Sequence, residues 1–366
     1  MNNKAVADLP DYRPEWLQSQ PLAEASALVA PCYTDPRWLA LEQRGIFARS
    51  WQLVGHLEQL ESTGDYFTCE VAGVPLLLVR DNGGALRAFH NVCRHRAGPL
   101  LQGCGRGAKA LRCQYHGWSY RLDGQLRAAP EMDSACGFAI GDIRLPEARL
   151  SVWEGLVFVA LGESVPPLET VLAGIAERIA PVEFASLRFR RRDVYEVACN
   201  WKVYVDNYLE GYHVPHVHRE LNRLIDYRAY NTEVFDDYSL QWSPLENAEG
   251  VYGSGNAWYY FVYPNVMLNV VEKRLQSNRV IPLGPDRCLV EFDYYYGEGA
   301  GTEDADHAFS NLVQTEDMEI CQKVQRNLHS GSYFAGRLCP RREAGVHHFH
   351  ERLRRDYRAL LQGSEN

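Results

Sequence analysis

Cys93-Arg94-His95 is followed, after seventeen intervening residues, by Cys113-Gln114-Tyr115-His116-Gly117-Trp118. Two thiolates and two imidazoles suit zinc or an iron–sulfur cluster. The order of the ligands separates the two. A Cys2His2 zinc finger pairs Cys with Cys and His with His. Here each run supplies one Cys and one His, so two loops can clamp a metal group from opposite sides. Gly98-Pro99 follows the first pair and Gly117-Trp118-Ser119-Tyr120 the second. Small residues at those places let backbone amides approach the sulfurs.

The flanks of these runs read as short strands and turns. Asp65–Glu70, Val74–Arg80 and Ala85–Asn91 are strand-like, with Asn82-Gly83-Gly84 and Asp123-Gly124 as hairpin signals. In a Rieske centre two cysteines hold one iron and two histidines hold the other. The pattern Cys-x-His with a distant Cys-x-x-His-Gly-Trp resembles the Rieske domain of ring-hydroxylating-type oxygenases. That resemblance implies a [2Fe–2S] cluster on Cys93, His95, Cys113 and His116.

Upstream, Thr34–Ser50 reads as a short helix with Asp35 as N-cap and Pro36 at its first position. Downstream, Pro166-Pro167 reads as an exit, followed by a short helix over Leu168–Ile179. The second half differs in texture. A strand over Asp193–Cys199 precedes a helix over Trp201–Tyr212, with Pro215 as its stop. Aromatic-rich strands follow at Tyr238–Trp242, Ala257–Val262, Val266–Val271 and Cys288–Tyr296. Glu303–Leu328 is the longest helical pattern, with Thr302 as N-cap, and Ala344–Leu361 reads as a surface helix. The expected fold class is α+β. A small all-β domain precedes helices packed on an antiparallel sheet. Expected boundaries are 1–50 for an N-terminal segment packing on the catalytic domain, 51–165 for the Rieske domain and 166–366 for the catalytic domain.

Asp206-Asn207-Tyr208-Leu209-Glu210-Gly211-Tyr212-His213-Val214-Pro215-His216-Val217-His218 concentrates carboxylates and imidazoles. Two neutral imidazoles and one carboxylate on one face of Fe(II) leave positions open for oxygen and substrate. A helix separates positions five apart, so His213 and His218 meet only if the backbone departs from helix near Pro215. Chemistry alone leaves His216 and His218 both open. A di-iron bundle needs two Glu-x-x-His pairs, and Glu210 with His213 is the one such pair in the chain.

From about residue 30 to His347-His348-Phe349-His350, the chain resembles the large subunits of Rieske oxygenases. It looks most like the choline, glycine-betaine and carnitine group, an antiparallel helix-grip type of catalytic domain. The resemblance implies mononuclear iron on His213, His218 and Asp317, with Glu316 one residue from the carboxylate. It implies Glu210 as a bridge for electrons between neighbouring subunits of a homotrimer, and Asn207 as a pocket residue. Many relatives carry Asp at the bridge, so Glu210 departs from them and joins the quaternary-amine group. No Gly-x-Gly-x-x-Gly fingerprint follows a strand. NAD(P)H is therefore expected on a separate reductase with flavin and a ferredoxin-type cluster.

The expected substrate is a small quaternary or tertiary ammonium compound, with N-dealkylation or alcohol oxidation as the outcome. Ser330-Gly331-Ser332-Tyr333 and Gly336-Arg337 share in that likeness. Trp258, Tyr260 and Tyr263 are the expected substrate-binding rings. Strand alternation places Trp258 and Tyr260 on one face and Tyr259, Phe261 and Tyr263 on the other. An aromatic acid would suit such rings as well. A Rieske electron carrier without oxygenase activity is the reading from another class, and the His213, His218 and Asp317 set argues against it.

Composition is consistent with these readings. The 366 residues are 46% hydrophobic and 23% charged, and the net charge of −9 disfavours broad nucleic-acid binding. The longest apolar runs, Val74–Val79 and Leu156–Leu161, are strand-sized. Met1–Leu17 carries Asp8, Asp11, Arg13 and Glu15 and does not read as a secretory leader. With ten cysteines, that points to metal ligation in a reducing, cytoplasmic setting.

Overall fold

The structure, a computed structural model, describes residues 12–180, 182–245, 255–298 and 303–362. The chain divides into two compact units, one spanning Phe47–Glu169 and the other combining residues 1–46 with 170–366.

In the first unit, β1 (Gln52–His56), β2 (Tyr66–Val71), β3 (Val74–Arg80), β4 (Leu86–His90), β5 (Cys104–Gly105), β9 (Glu147–Trp153) and β10 (Leu156–Ala160) form one sheet. Their order is β1-β10-β9-β4-β3-β2-β5. A three-stranded sheet, β6 (Leu111–Arg112), β7 (Ser119–Tyr120) and β8 (Leu126–Ala128), carries the Cys113–Trp118 loop between its first two strands. β3 is buried on both faces. Leu76 and Leu78 face one core with Phe67 and Val157. Leu77 and Val79 face another with Phe89, Trp118 and Tyr120. That alternation explains why Val74–Arg80 is a continuous apolar run.

The second unit is built on a seven-stranded antiparallel sheet. It comprises β11 (Arg188–Val197), β12 (Asn231–Val234), β13 (Tyr238–Pro244), β14 (Asn256–Val262), β15 (Val266–Val271), β16 (Arg274–Gly284) and β17 (Arg287–Tyr296). The order β11-β17-β16-β15-β14-β13-β12 is a meander except for β11, which returns beside the last strand. Helices Pro36–Gly45, Trp201–Tyr208, Glu303–Leu328 and Ala344–Gln362 belong to this unit. Asp35 caps the first by accepting from Arg37 N–H, and Asn200 caps the second by accepting from Lys202 N–H.

Four expectations change. The stretch expected as one helix over Leu168–Ile179 is two short turns, Leu168–Val171 and Ile175–Arg178, parted by Gly174 at φ +84°. The helix expected to Tyr212 ends at Tyr208, and Pro215 sits inside a new turn, Val214–Val217. Ala344–Gln362 buries Phe349, His350, Leu353 and Tyr357 completely, so it packs as a core helix and not on the surface. Strand β16 was not expected. The cap expected at Thr302 lies outside the described residues. No described helix is long and apolar enough to cross a membrane.

Candidate metal centres

The first centre is made by two β-turn loops held rigidly from below. Cys93 N–H donates to Gly98 O at 2.9 Å and Ala97 N–H to Cys93 O at 3.0 Å. In the facing loop Cys113 N–H donates to Trp118 O at 2.9 Å and Gly117 N–H to Cys113 O at 3.1 Å. Gly117 has φ +74°, and a Cβ on Gly98 would stand 2.8 Å from Cys113 Sγ, so both glycines are needed. Cys93 and Cys113 are buried. His95 and His116 sit edge to face with centroids 4.6 Å apart, and His95 stacks on Trp118 at 4.8 Å. Tyr120 Oη accepts the Arg94 N–H at 2.9 Å and lies 3.4 Å from Cys93 Sγ, leaving its own hydrogen for the sulfur.

Two observations test this donor set against a cluster. His95 Nδ1 is buried without a hydrogen-bond partner, as a nitrogen reserved for a metal would be. The ring faces of His95, His116 and Trp118 gather that nitrogen and the two buried thiols at one place between the loops. One Cys and one His from each loop is the donor order of a Rieske cluster and not that of a Cys2His2 zinc finger.

The second centre lies between the helices Trp201–Tyr208 and Glu303–Leu328. Two rungs join them. Tyr204 Oη donates to Gln314 Oε1 at 2.6 Å, and Asn207 Nδ2 donates to Asp317 Oδ1 at 2.6 Å. Both rungs use residues three apart on each helix, hence neighbours on one face. The chain leaves helix after Tyr208, and His213 and His218 become the two caps of the turn Val214–Val217. This departure lets residues five apart converge. The rings stand 4.9 Å apart at 75°.

Their Nε2 atoms both face Asp317 Oδ1, at 2.9 Å from His218 and 3.7 Å from His213. Their Nδ1 atoms face outward to carboxylates. Glu210 Oε1 lies 2.6 Å from Nδ1 of His213, and Glu316 Oε2 lies 2.7 Å from Nδ1 of His218. Each imidazole is thereby set with its proton on Nδ1 and its lone pair on Nε2. Burial disfavours charge on His218, but Asp317 and Glu316 together outweigh it and raise the imidazole above its ordinary value. A divalent metal satisfies the same negative charge without that proton. His216 lies outside this group.

A cleft partly open to solvent is lined by His213, His218, Asp317, Asn207 and Glu210. Its rings are Tyr204, Tyr208, Tyr230, Tyr259 and Phe292. Trp258, Tyr260 and Tyr263, expected to bind substrate, are not among its walls. Tyr260 packs on Tyr238 at 5.9 Å, and Tyr263 stacks under Arg352 and donates to Asp356 at 2.8 Å. Trp258 pairs in register with Trp242 and Val270. Alternation on β14 gives the cleft Tyr259 instead. In register beside Tyr259 are Asn269 on β15 and Gln276 on β16, and both reach the same cleft. The polar residues of β16 and the partner role of Glu316 were missed. The single sequence signal was the alternation Arg274, Gln276, Asn278.

Residues 50–148 match the Rieske [2Fe-2S] domain and residues 184–359 match the ring hydroxylating alpha subunit, catalytic domain. The choline monooxygenase of Arabidopsis thaliana, described as chloroplastic, is 34% identical over 94% of this chain and 86% of its own. The carnitine monooxygenase oxygenase subunit of Escherichia coli K12 is 29% identical over 90% and 93%. The solved structure of a quaternary ammonium Rieske monooxygenase superposes with a TM-score of 0.85 at 26% identity, covering 93% of this chain and 99% of that one. The chain belongs to the Rieske-type ring-hydroxylating oxygenases, iron enzymes with a [2Fe–2S] domain and a non-haem iron domain.

Proposed function

We propose that this chain is the oxygenase component of a system that hydroxylates a small quaternary or tertiary ammonium compound. The observation that carries the reading is the cleft itself. A three-ligand face of His213, His218 and Asp317 lies in its wall, and five aromatic rings and the Glu210 carboxylate are among the other lining groups. Each ring face attracts a cation by ~0.5–2 kcal/mol, and the carboxylates disfavour an anion in the same space. Relatives named for choline and carnitine support the choice of an ammonium substrate.

Cys93, His95, Cys113 and His116 would hold the cluster, which would supply electrons singly, and His213, His218 and Asp317 would hold the iron at which dioxygen would be reduced. The balance is one C–H bond, O2, two electrons and two protons giving C–OH and water. A separate reductase oxidising NAD(P)H provides the electrons. Hydroxylation beside nitrogen leaves a carbinolamine that loses an alkyl group. At an alcohol carbon it leaves an aldehyde hydrate.

Protein groups hold this geometry. Asn207 fixes Asp317 by donating to Oδ1, and Glu210 fixes His213 through both its ring and its backbone N–H, the latter at 3.0 Å. Burial raises the Tyr204, Tyr208, Tyr230 and Tyr259 phenols far above their ordinary range, so all four stay neutral beside a cation. We assign Glu210 the further task of receiving a cluster histidine from a neighbouring copy in a closed homotrimer. The related quaternary ammonium structure is described in terms of inter-subunit electron transfer.

The test supplies a compatible reductase, NADH and oxygen with choline, betaines, carnitine and simple aromatic acids. Coupled NADH use and hydroxylated product are expected from an ammonium compound. An aromatic acid giving coupled product, with none from the ammonium panel, would overturn the substrate reading.

A further inference from the structure

The cleft has a second chemical character away from the ligand face. On β16, Arg274, Gln276 and Asn278 alternate onto it, and β14 and β15 add Tyr259 and Asn269. Most of these polar atoms are already engaged. Arg274 Nε lies 2.6 Å from Asp306 Oδ2, and its Nη2 donates to Gln276 at 2.5 Å. Asn269 accepts from Tyr208 Oη at 2.7 Å. Three atoms are not engaged. Gln314 Nε2, Asn278 Oδ1 and Tyr259 Oη are buried and have no hydrogen-bond partner. Gln314 and Asn278 are only 2% and 3% exposed, so solvent does not satisfy them. A buried polar atom left unpaired is costly, and three on the walls of one cleft mark a place for a polar guest.

The chemistry of that guest follows from the donors. The Tyr204 hydroxyl occupies Gln314 Oε1 and leaves the amide N–H groups to donate. Asn278 Oδ1 accepts, and a phenol does either. We infer that Gln314, Asn278 and Tyr259 recognise an alcohol group on the ammonium substrate. A hydroxyl gives one hydrogen bond and takes others, matching this mixed set. A carboxylate only accepts, so it would oppose Asn278 Oδ1, and Arg274, the one Lys or Arg among the described lining residues, is already neutralised by Asp306. Gln314 precedes Asp317 by one helical turn, which sets the alcohol about 5 Å along the helix from the ligand face.

This assignment rests on the ammonium reading above, and the test separates the two. The reduced holoenzyme is titrated calorimetrically without oxygen, using choline, propyltrimethylammonium (a methyl in place of the hydroxyl) and glycine betaine. The expected result is choline binding about 10-fold or more tighter than propyltrimethylammonium, with betaine weaker than choline. Asn278→Leu and Gln314→Leu should each shrink the choline preference below about threefold while propyltrimethylammonium binds as before. The wild-type comparison decides even if Gln314→Leu, which also deprives Tyr204 of a partner, does not fold. Equal binding of choline and propyltrimethylammonium, or tightest binding of betaine, overturns the alcohol assignment and leaves the ammonium reading standing. No binding of any of the three sinks both.

Discussion

Behind each imidazole of the proposed iron face stands one carboxylate, and the two are not equivalent. Glu316 meets a buried His218, whereas Glu210 holds His213 by ring and backbone together. Glu316→Gln should therefore weaken mononuclear iron by about 10–100-fold, since it loosens the tautomer and the ring. Glu210→Gln should retain that iron yet slow oxidation of the reduced cluster when substrate and oxygen are mixed in. Metal analysis after dialysis reads the first effect, and rapid-mix absorbance reads the second. A Glu210→Gln cluster oxidised at the wild-type rate would refute the bridge. Residue-level reading of the sequence went furthest where spacing alone carries chemistry, as in Cys93-x-His95 and Cys113-x-x-His116. It failed for Trp258, Tyr260 and Tyr263, because alternation tells which residues share a face but not which face meets the cleft.

The elements that position the site were unevenly legible, for a physical reason in each case. Glu303–Leu328 was read to the residue, since it starts with Glu303, Asp304 and Asp306 and ends before a glycine-rich turn. Val74–Arg80 and Val266–Val271 were equally plain because both are apolar runs of strand length. Strand β16 escaped because a strand is recognised by its apolar face. The face that Arg274, Gln276 and Asn278 present is turned to a cleft and is polar. The break between Tyr208 and Val214 was half legible. Convergence of His213 and His218 required that the helix be interrupted, yet the interruption comes before Pro215 and not at it. Gly211 lies within the break and is packed there, because a Cβ on it would stand 2.8 Å from the Tyr230 ring.

At the scale of the whole molecule, the proposed chemistry is divided between two units, one holding the proposed cluster ligands and one holding the proposed mononuclear ligands. A closed cyclic trimer would let each cluster serve a neighbour's iron. Light scattering of the active enzyme should then give about three times the 41.7 kDa chain mass, and a monomer that still turns over would exclude that arrangement. The central claim is narrower: two different iron sites in one chain. Iron and acid-labile sulfide, counted per chain in wild type and Asp317→Ala, test it most directly. The account predicts about three irons and two sulfides in wild type, and about two of each in Asp317→Ala, which keeps its red-brown cluster spectrum but not its turnover. Stoichiometric zinc in a colourless wild type, or an Asp317→Ala enzyme that keeps its third iron and full activity, would contradict it.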